Sequence, residues 1–118
     1  MNGIPERIDA TLLVGATLFQ VCVGENEVIL RFDNETSVML ECEVGVAVAG
    51  MAAQKTSRAI LTGSAMLALL GTKVIEITRR SPEALTVRFE RDVIVTLHDS
   101  NAHYESFSIM NGGRQIVV

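Results

Sequence analysis

Val28-Ile29-Leu30-Arg31-Phe32 and, at an offset of 57, Leu85-Thr86-Val87-Arg88-Phe89 are the stretches whose reading decides the fold. In the first, Val28, Leu30 and Phe32 fall on one side of an extended chain and Arg31 and Asp33 on the other. In the second, Leu85, Val87 and Phe89 alternate with Thr86, Arg88 and Glu90. A period of two is the signature of a half-buried β-strand. The shared Arg-Phe ending and the common phase mark the two stretches as equivalent.

The equivalence extends in both directions. Leu13-Val14-Gly15-Ala16-Thr17-Leu18-Phe19-Gln20-Val21 aligns with Leu69-Leu70-Gly71-Thr72-Lys73-Val74-Ile75-Glu76-Ile77 at an offset of 56. After one inserted residue, Ser37-Val38-Met39-Leu40-Glu41 aligns with Ile94-Val95-Thr96-Leu97-His98 at 57. Three segments in phase with a single slip predict an internal repeat. Each unit contains three strands, unit one over about 9–44 and unit two over about 64–99, with a linker at 45–63 and C-terminal strands in 103–118.

The phase predicts Phe19, Val21 and Val23 inward on the first strand, matched by Ile75 and Ile77. On the third strands it predicts Val38, Leu40 and Cys42 inward, matched by Val93, Val95 and Leu97. Cys22 falls on an outer face with Gln20. Gly24-Glu25-Asn26-Glu27, Arg80-Ser81-Pro82-Glu83, Asp33-Asn34-Glu35 and Glu90-Arg91-Asp92 supply the turns. Asn34-Glu35-Thr36 has the form of a glycosylation sequon and reads as a turn. Further strands are expected at 104–109 and, after Asn111-Gly112-Gly113, at 114–118.

A short helical signal ending in glycine precedes each unit. Asp9 would cap 10–14 before Gly15, and Ser64 would cap 65–70 before Gly71; Ser57 is an alternative start, with Gly63 a candidate break. Two meanders, each with one apolar face, must cover one another. The expected fold is mainly β: a duplicated three-stranded meander packed as a small barrel or sandwich with pseudo-twofold symmetry, plus one or two short helices.

Composition narrows the function classes. The chain has 118 residues, 48% hydrophobic and 20% charged, which suits one globular domain. The most apolar stretch, 44–53, is too short to span a membrane, and the N-terminus lacks the pattern of a secretory signal. A cytoplasmic protein is the expectation. The net charge of −4, with four Phe, one Tyr and no Trp, argues against nucleic acid. Residues 1–43 carry eight acidic and two basic side chains, whereas residues 44–118 carry six acidic and eight basic. Such asymmetry could pair the halves or dock one molecule on another. Cys22 and Cys42 are too few for a zinc site, and their opposite phases predict reduced packing residues.

The linker begins Gly45-Val46-Ala47-Val48-Ala49-Gly50-Met51-Ala52-Ala53, without charge. It reads either as a buried strand or connection, or as part of an interface. Ile29, Met39 and Ile94 fall on outer faces, which something must cover. The candidate interaction residues are Ile29, Met39, Val46, Val48 and Met51.

The densest polar group is His98-Asp99-Ser100-Asn101-Ala102-His103-Tyr104-Glu105. His98, His103 and Glu105 are weak candidates for a metal or for acid–base work, at a spacing that matches no metal motif. The competing reading is a solvated loop. Glu105 would sit either on the rim of its strand or as a carboxylate held by Arg88 or Arg31. Neither a nucleophile elbow nor a phosphate loop or dinucleotide fingerprint is present. No cofactor is expected, and the chain reads as a non-enzyme.

Unit two followed by Tyr104-Glu105-Ser106-Phe107-Ser108-Ile109 resembles a family of small bacterial β-rich proteins of unknown function. The likeness covers about residues 65–113 and rests on a leucine-glycine entry, a hairpin and a Tyr-Glu-small-aromatic strand. This chain has Phe107 where that family usually has Trp, and Asn111-Gly112-Gly113 in place of a Pro-Gly-Gly tail. The resemblance implies no activity or cofactor, and it suggests an immunity-type or adaptor role. The functional expectation is therefore a protein-interaction module, as a homodimer or with another protein. The alternative is small-ligand binding inside the barrel or between the sheets.

Overall fold

A computed structural model describes residues 3–48, 54–99 and 106–118. The described residues form ten strands in two antiparallel five-stranded sheets. The first sheet holds β1 (Leu18–Val23), β2 (Val28–Phe32), β3 (Thr36–Leu40), β9 (Phe107–Asn111) and β10 (Arg114–Val117), in that order. The second runs β5 (Gln54–Thr56), β4 (Glu43–Ala47), β8 (Val93–His98), β7 (Ala84–Phe89) and β6 (Val74–Ser81). The sheets do not close into a barrel. They pack as a sandwich, joined at one corner by a single antiparallel bridge between Thr17 and Lys73.

Alternation builds the core as the sequence requires. Val28, Leu30 and Phe32 meet Val38 and Leu40 on the inner face of the first sheet. Leu85, Val87 and Phe89 meet Val93, Val95 and Leu97 on that of the second, all of them buried. Phe32 of the first sheet and Phe89 of the second stack on each other across the interior with ring centroids 6.4 Å apart.

Around the bridge the two halves exchange matching hydrogen bonds. The Gly15 N–H donates to the Val74 carbonyl and the Gly71 N–H to the Leu18 carbonyl, at 2.9 and 2.8 Å. Leu18 N–H donates to Thr72 and Val74 N–H to Ala16, at 3.0 and 2.9 Å. The carboxylate of Asp33 accepts from Thr17 N–H, and that of Glu90 from Lys73 N–H. Gly15 and Gly71 share a left-handed φ of +88° and +84°. Each pair lies 56 or 57 residues apart in the chain.

Three expectations need correction. Phe19 and Ile75 do not point inward: they are 58% and 44% exposed. A register shift falls between Leu18 and Gln20, and its equivalent between Val74 and Glu76. The extra residue of a bulge changes the phase, turning Phe19 and Ile75 out while Val21 and Ile77 still pack on the core. Val23 is 42% exposed, and it lies against Gly63 of the helix rather than between the sheets.

The helix, α1, spans Ala59–Leu67, starting earlier than a cap at Ser64 implies and ending before Leu70. Ser64 instead donates its hydroxyl to the Ile60 carbonyl at 2.8 Å. Gly63 does not break α1, because its bare backbone is what lets the helix approach Val23. The other helical signal is a 3-10 turn, Ala10–Leu12, whose Thr11 N–H donates to the Asp9 carboxylate at 3.0 Å.

Residues 45–63 hold most of β4, all of β5 and the first half of α1. β4 pairs with β8 through Val44–Leu97 and Val46–Val95, and Val44 is buried. The turn at Asn34 serves the fold: its side-chain amide donates to the Leu12 carbonyl and its oxygen accepts from Thr36 N–H. Among the described residues no helix is long and apolar enough to cross a membrane.

Candidate interaction surface

Two of the residues singled out by phase, Ile29 and Met39, are direct partners in the β2–β3 ladder. Side chains directly opposite one another in an antiparallel pair stand on the same face. The ladders carry this row across the whole sheet: Cys22 opposes Ile29, Met39 opposes Ser108, and Ser108 opposes Val117. All five residues are on the outer face, since their chain neighbours Val28, Leu30, Val38, Leu40, Phe107 and Ile109 are in the core. Cys22, Ile29, Met39 and Val117 are half-buried, and Ser108, between Met39 and Val117, is nearly closed off.

The helical elements that contact this sheet approach it from the inner side. α1 reaches β1 and β2, with Met66 buried in the core. The 3-10 turn reaches β9, with Leu12 in the core and its carbonyl accepting from the Thr36 hydroxyl at 2.6 Å.

Residues that are polar except for Met110 border the row on both sides. One step toward the far end of β2 lies a second row, Gln20, Arg31, Ser37, Met110 and Gln115. One step the other way, Glu27 and Glu41 flank the Val28–Leu40 pair. The Glu41 N–H donates to the Ser106 carbonyl at 2.9 Å, which prolongs the β3–β9 ladder and keeps Glu41 in the outward phase. Among the described residues Arg31, Glu27 and Glu41 form no ion pair.

Val46 and Val48 lie elsewhere, in a groove of about 380 Å³ between β4, β5 and α1. Its walls are apolar (Val44, Val46, Val48, Leu61 and Ala65) and Gln54 and Thr56 border it. The fold thus separates the five candidate interaction residues. Ile29 and Met39 share one face, Val46 and Val48 share the groove, and Met51 lies outside the described residues. Between the sheets, the void among Leu30, Phe32, Val87 and Phe89 is about 10 Å³, room for no more than about one water.

Of the polar group near the C-terminus, His103 and Glu105 lie outside the described residues. His98 ends β8 opposite Ala84 and Glu43, and its Nε2 is buried with no hydrogen-bond partner among the described residues. No group of three or more His, Cys, Asp or Glu side chains is placed to hold a metal among the described residues. Burial pushes the Cys42 thiol up to about 12, against an ordinary 9.0, even though the His98 backbone N–H donates to it. The protonated thiol is a packing group at neutral pH, and both cysteines are free.

Asp99 has a structural task. It accepts from Gly3 N–H at 3.0 Å and from the Ser106 hydroxyl at 2.7 Å, tying the N-terminal segment to the start of β9. Partial burial pushes its carboxyl up, but the hydrogen bonds, those from Ser106 and Gly3 among them, outweigh this and hold it below its ordinary 3.8. A depressed folded value stabilises the fold above the unfolded value and loses that contribution as pH falls through the folded one. Acid titration of stability is therefore expected to show a loss below about pH 4 that Asp99→Asn removes. An unchanged acid limb in that variant would refute the assignment.

No protein-family model, curated protein or solved structure matches the chain. The functional reading accordingly rests on the surfaces just described. Cys22, Ser108 and Val117 completed the apolar row without having been legible as interaction residues. The outer phase of Cys22 was a partial signal. Ser108 and Val117 join only through the pairing of β9 with β3, a contact between segments some 70 residues apart.

Proposed function

We propose that the protein is a non-enzymatic interaction module that binds through the outer face of its first sheet. The observation that carries this reading is the row Cys22–Ile29–Met39–Ser108–Val117, which crosses five strands with α1 and the Ala10–Leu12 turn, the helical elements that contact this sheet, on the opposite side. The outward positions of a solvated sheet face are normally polar, so a row in which Ile29, Met39 and Val117 stand there, interrupted only by Ser108, favours contact with another surface. The internal repeat belongs to the same proposal. Two equivalent units supply the two sheets, and the matching hydrogen bonds about Thr17 and Lys73 support a common origin.

The family resemblance over residues 65–113 and the suggested immunity-type or adaptor role agree with an interaction protein, and a cytoplasmic setting fits two free cysteines. The groove beside α1 supports a second reading, small-ligand binding, because its volume falls in the range of ligand sites.

Site-specific photocrosslinking in cells tests the first reading. A photoreactive residue in place of Met39 is expected to form protein adducts, and one in place of Thr78, on the outer face of the second sheet, to form none. Adducts to any protein, whether this chain or another, uphold it. A silent Met39 position, with an apolar dye taken up by the groove, would transfer the proposal to ligand binding.

A further inference from the structure

The interaction reading leaves the partner open; the arrangement of charge about the apolar row narrows it. Ile29 and Arg31 of β2, and Glu27 just before it, share the outward phase, so an acid and a base stand two residues on either side of the row, each about 6.8 Å away. On β3 the same step leads to Glu41 on the acidic side and Ser37 on the other. The face therefore has an acidic edge, an apolar middle and an edge bearing Arg31, and none of the three charges is neutralised within the described chain.

Such a face is complementary to itself under one operation. A twofold rotation about an axis lying along the apolar row sends every residue of the row onto its own equivalent in a second copy. It also carries the Arg31 edge of one copy over the Glu27 and Glu41 edge of the other, and does so twice. A twofold axis along the strands would instead place both Arg31 edges at the same level and both acidic edges at the other, where like charges repel.

We infer that the partner is a second copy of this chain, docked sheet face to sheet face about an axis along Cys22–Ile29–Met39–Ser108–Val117, with Arg31 of each copy paired to Glu27 and Glu41 of the other. This rests on the interaction reading and names the partner for the same face. The twofold closes the assembly at a dimer and leaves no unsatisfied equivalent surface. Exposed charges at the rim set the register, and the apolar row supplies the contact that excludes water.

Light scattering and sedimentation of the full chain over a wide concentration series test the inference. The wild-type chain is expected to be a dimer, and Arg31→Glu is expected to raise its dissociation constant at least about tenfold. Glu27→Arg with Glu41→Arg breaks the same pairs from the opposite edge, so the test survives if one variant folds poorly. Combining all three substitutions exchanges the edges and is expected to restore the dimer. A wild-type chain that stays monomeric throughout, or a dimer indifferent to these charges, overturns the inference. Adducts from Met39 to a different protein would at the same time preserve the interaction reading, so the two failures are distinguishable.

Discussion

Replacing Phe89 by alanine is expected to lower the stability of the fold by about 3–5 kcal/mol, measured by urea or thermal unfolding. Phe89 is 2% exposed and stacks on Phe32 with an interplanar angle of 24°. The void already present beside the two rings is only about 10 Å³, so the deletion opens a new cavity in a closely packed interior. Each sheet contributes one of the two rings, and the lost contact is therefore one that holds the sheets together. The equivalent Phe32→Ala is expected to cost a similar amount. The two losses together should fall short of their sum by about 0.5–1.5 kcal/mol, the coupling of an aromatic pair. A loss under about 1 kcal/mol at either position would show that the sheets are not joined through this stack.

The second large effect has a sign that helix propensity alone would get wrong. Gly63 is in the interior of α1, where alanine is favoured over glycine by about 1 kcal/mol. Yet a Cβ at this position would lie 2.3 Å from the Val23 Cγ2 and 3.4 Å from its Cβ. Valine is stiff at χ1, so relief requires a changed rotamer or a retreat of the helix from β1, and such overpacking costs about 1–3 kcal/mol. Gly63→Ala is expected to destabilise by about 1 kcal/mol net. In a Val23→Ala background the same substitution should instead stabilise, because only the propensity gain is left. A stabilising Gly63→Ala in the wild-type chain would contradict the close approach of α1 to β1.

The two glycines of the helical signals illustrate different degrees of legibility. Gly71 is expected just beyond a helix ending at Leu70, whereas α1 ends at Leu67; its φ of +84° is nonetheless one that favours glycine. Gly63 reads as a break because a glycine's neighbours in space are invisible in the chain; its reason for being there is a valine 40 positions earlier. The bulged residues are similar. Phe19 and Ile75 satisfy a period of two with their neighbours, and nothing local distinguishes a regular strand from one carrying an extra residue opposite Phe32 or Phe89.

The candidate surface was half visible. Phase assigned Ile29 and Met39 to an outer face, and β2 with the residue before it carries the order Glu27, Ile29, Arg31. Whether those residues belong to a larger surface depended on which strands lie beside them. β9 and β10, from the C-terminal segment, complete the first sheet next to β3, while β4, next in sequence after β3, crosses to the second. Val46 and Val48 consequently ended in a groove on the other sheet, apart from the residues with which their apolar character had grouped them.

Alternation and turn residues were sufficient to determine a mainly β chain and its inward faces along β2, β3, β7 and β8. These are properties of a few neighbouring residues, because side-chain direction in an extended strand follows from backbone geometry alone. Sandwich rather than barrel, the bulges, the seat of α1 and the assembly of the apolar row were decided only in three dimensions. Each depends on pairing between distant segments, whose choice is made by the total burial of the finished core rather than by any local preference.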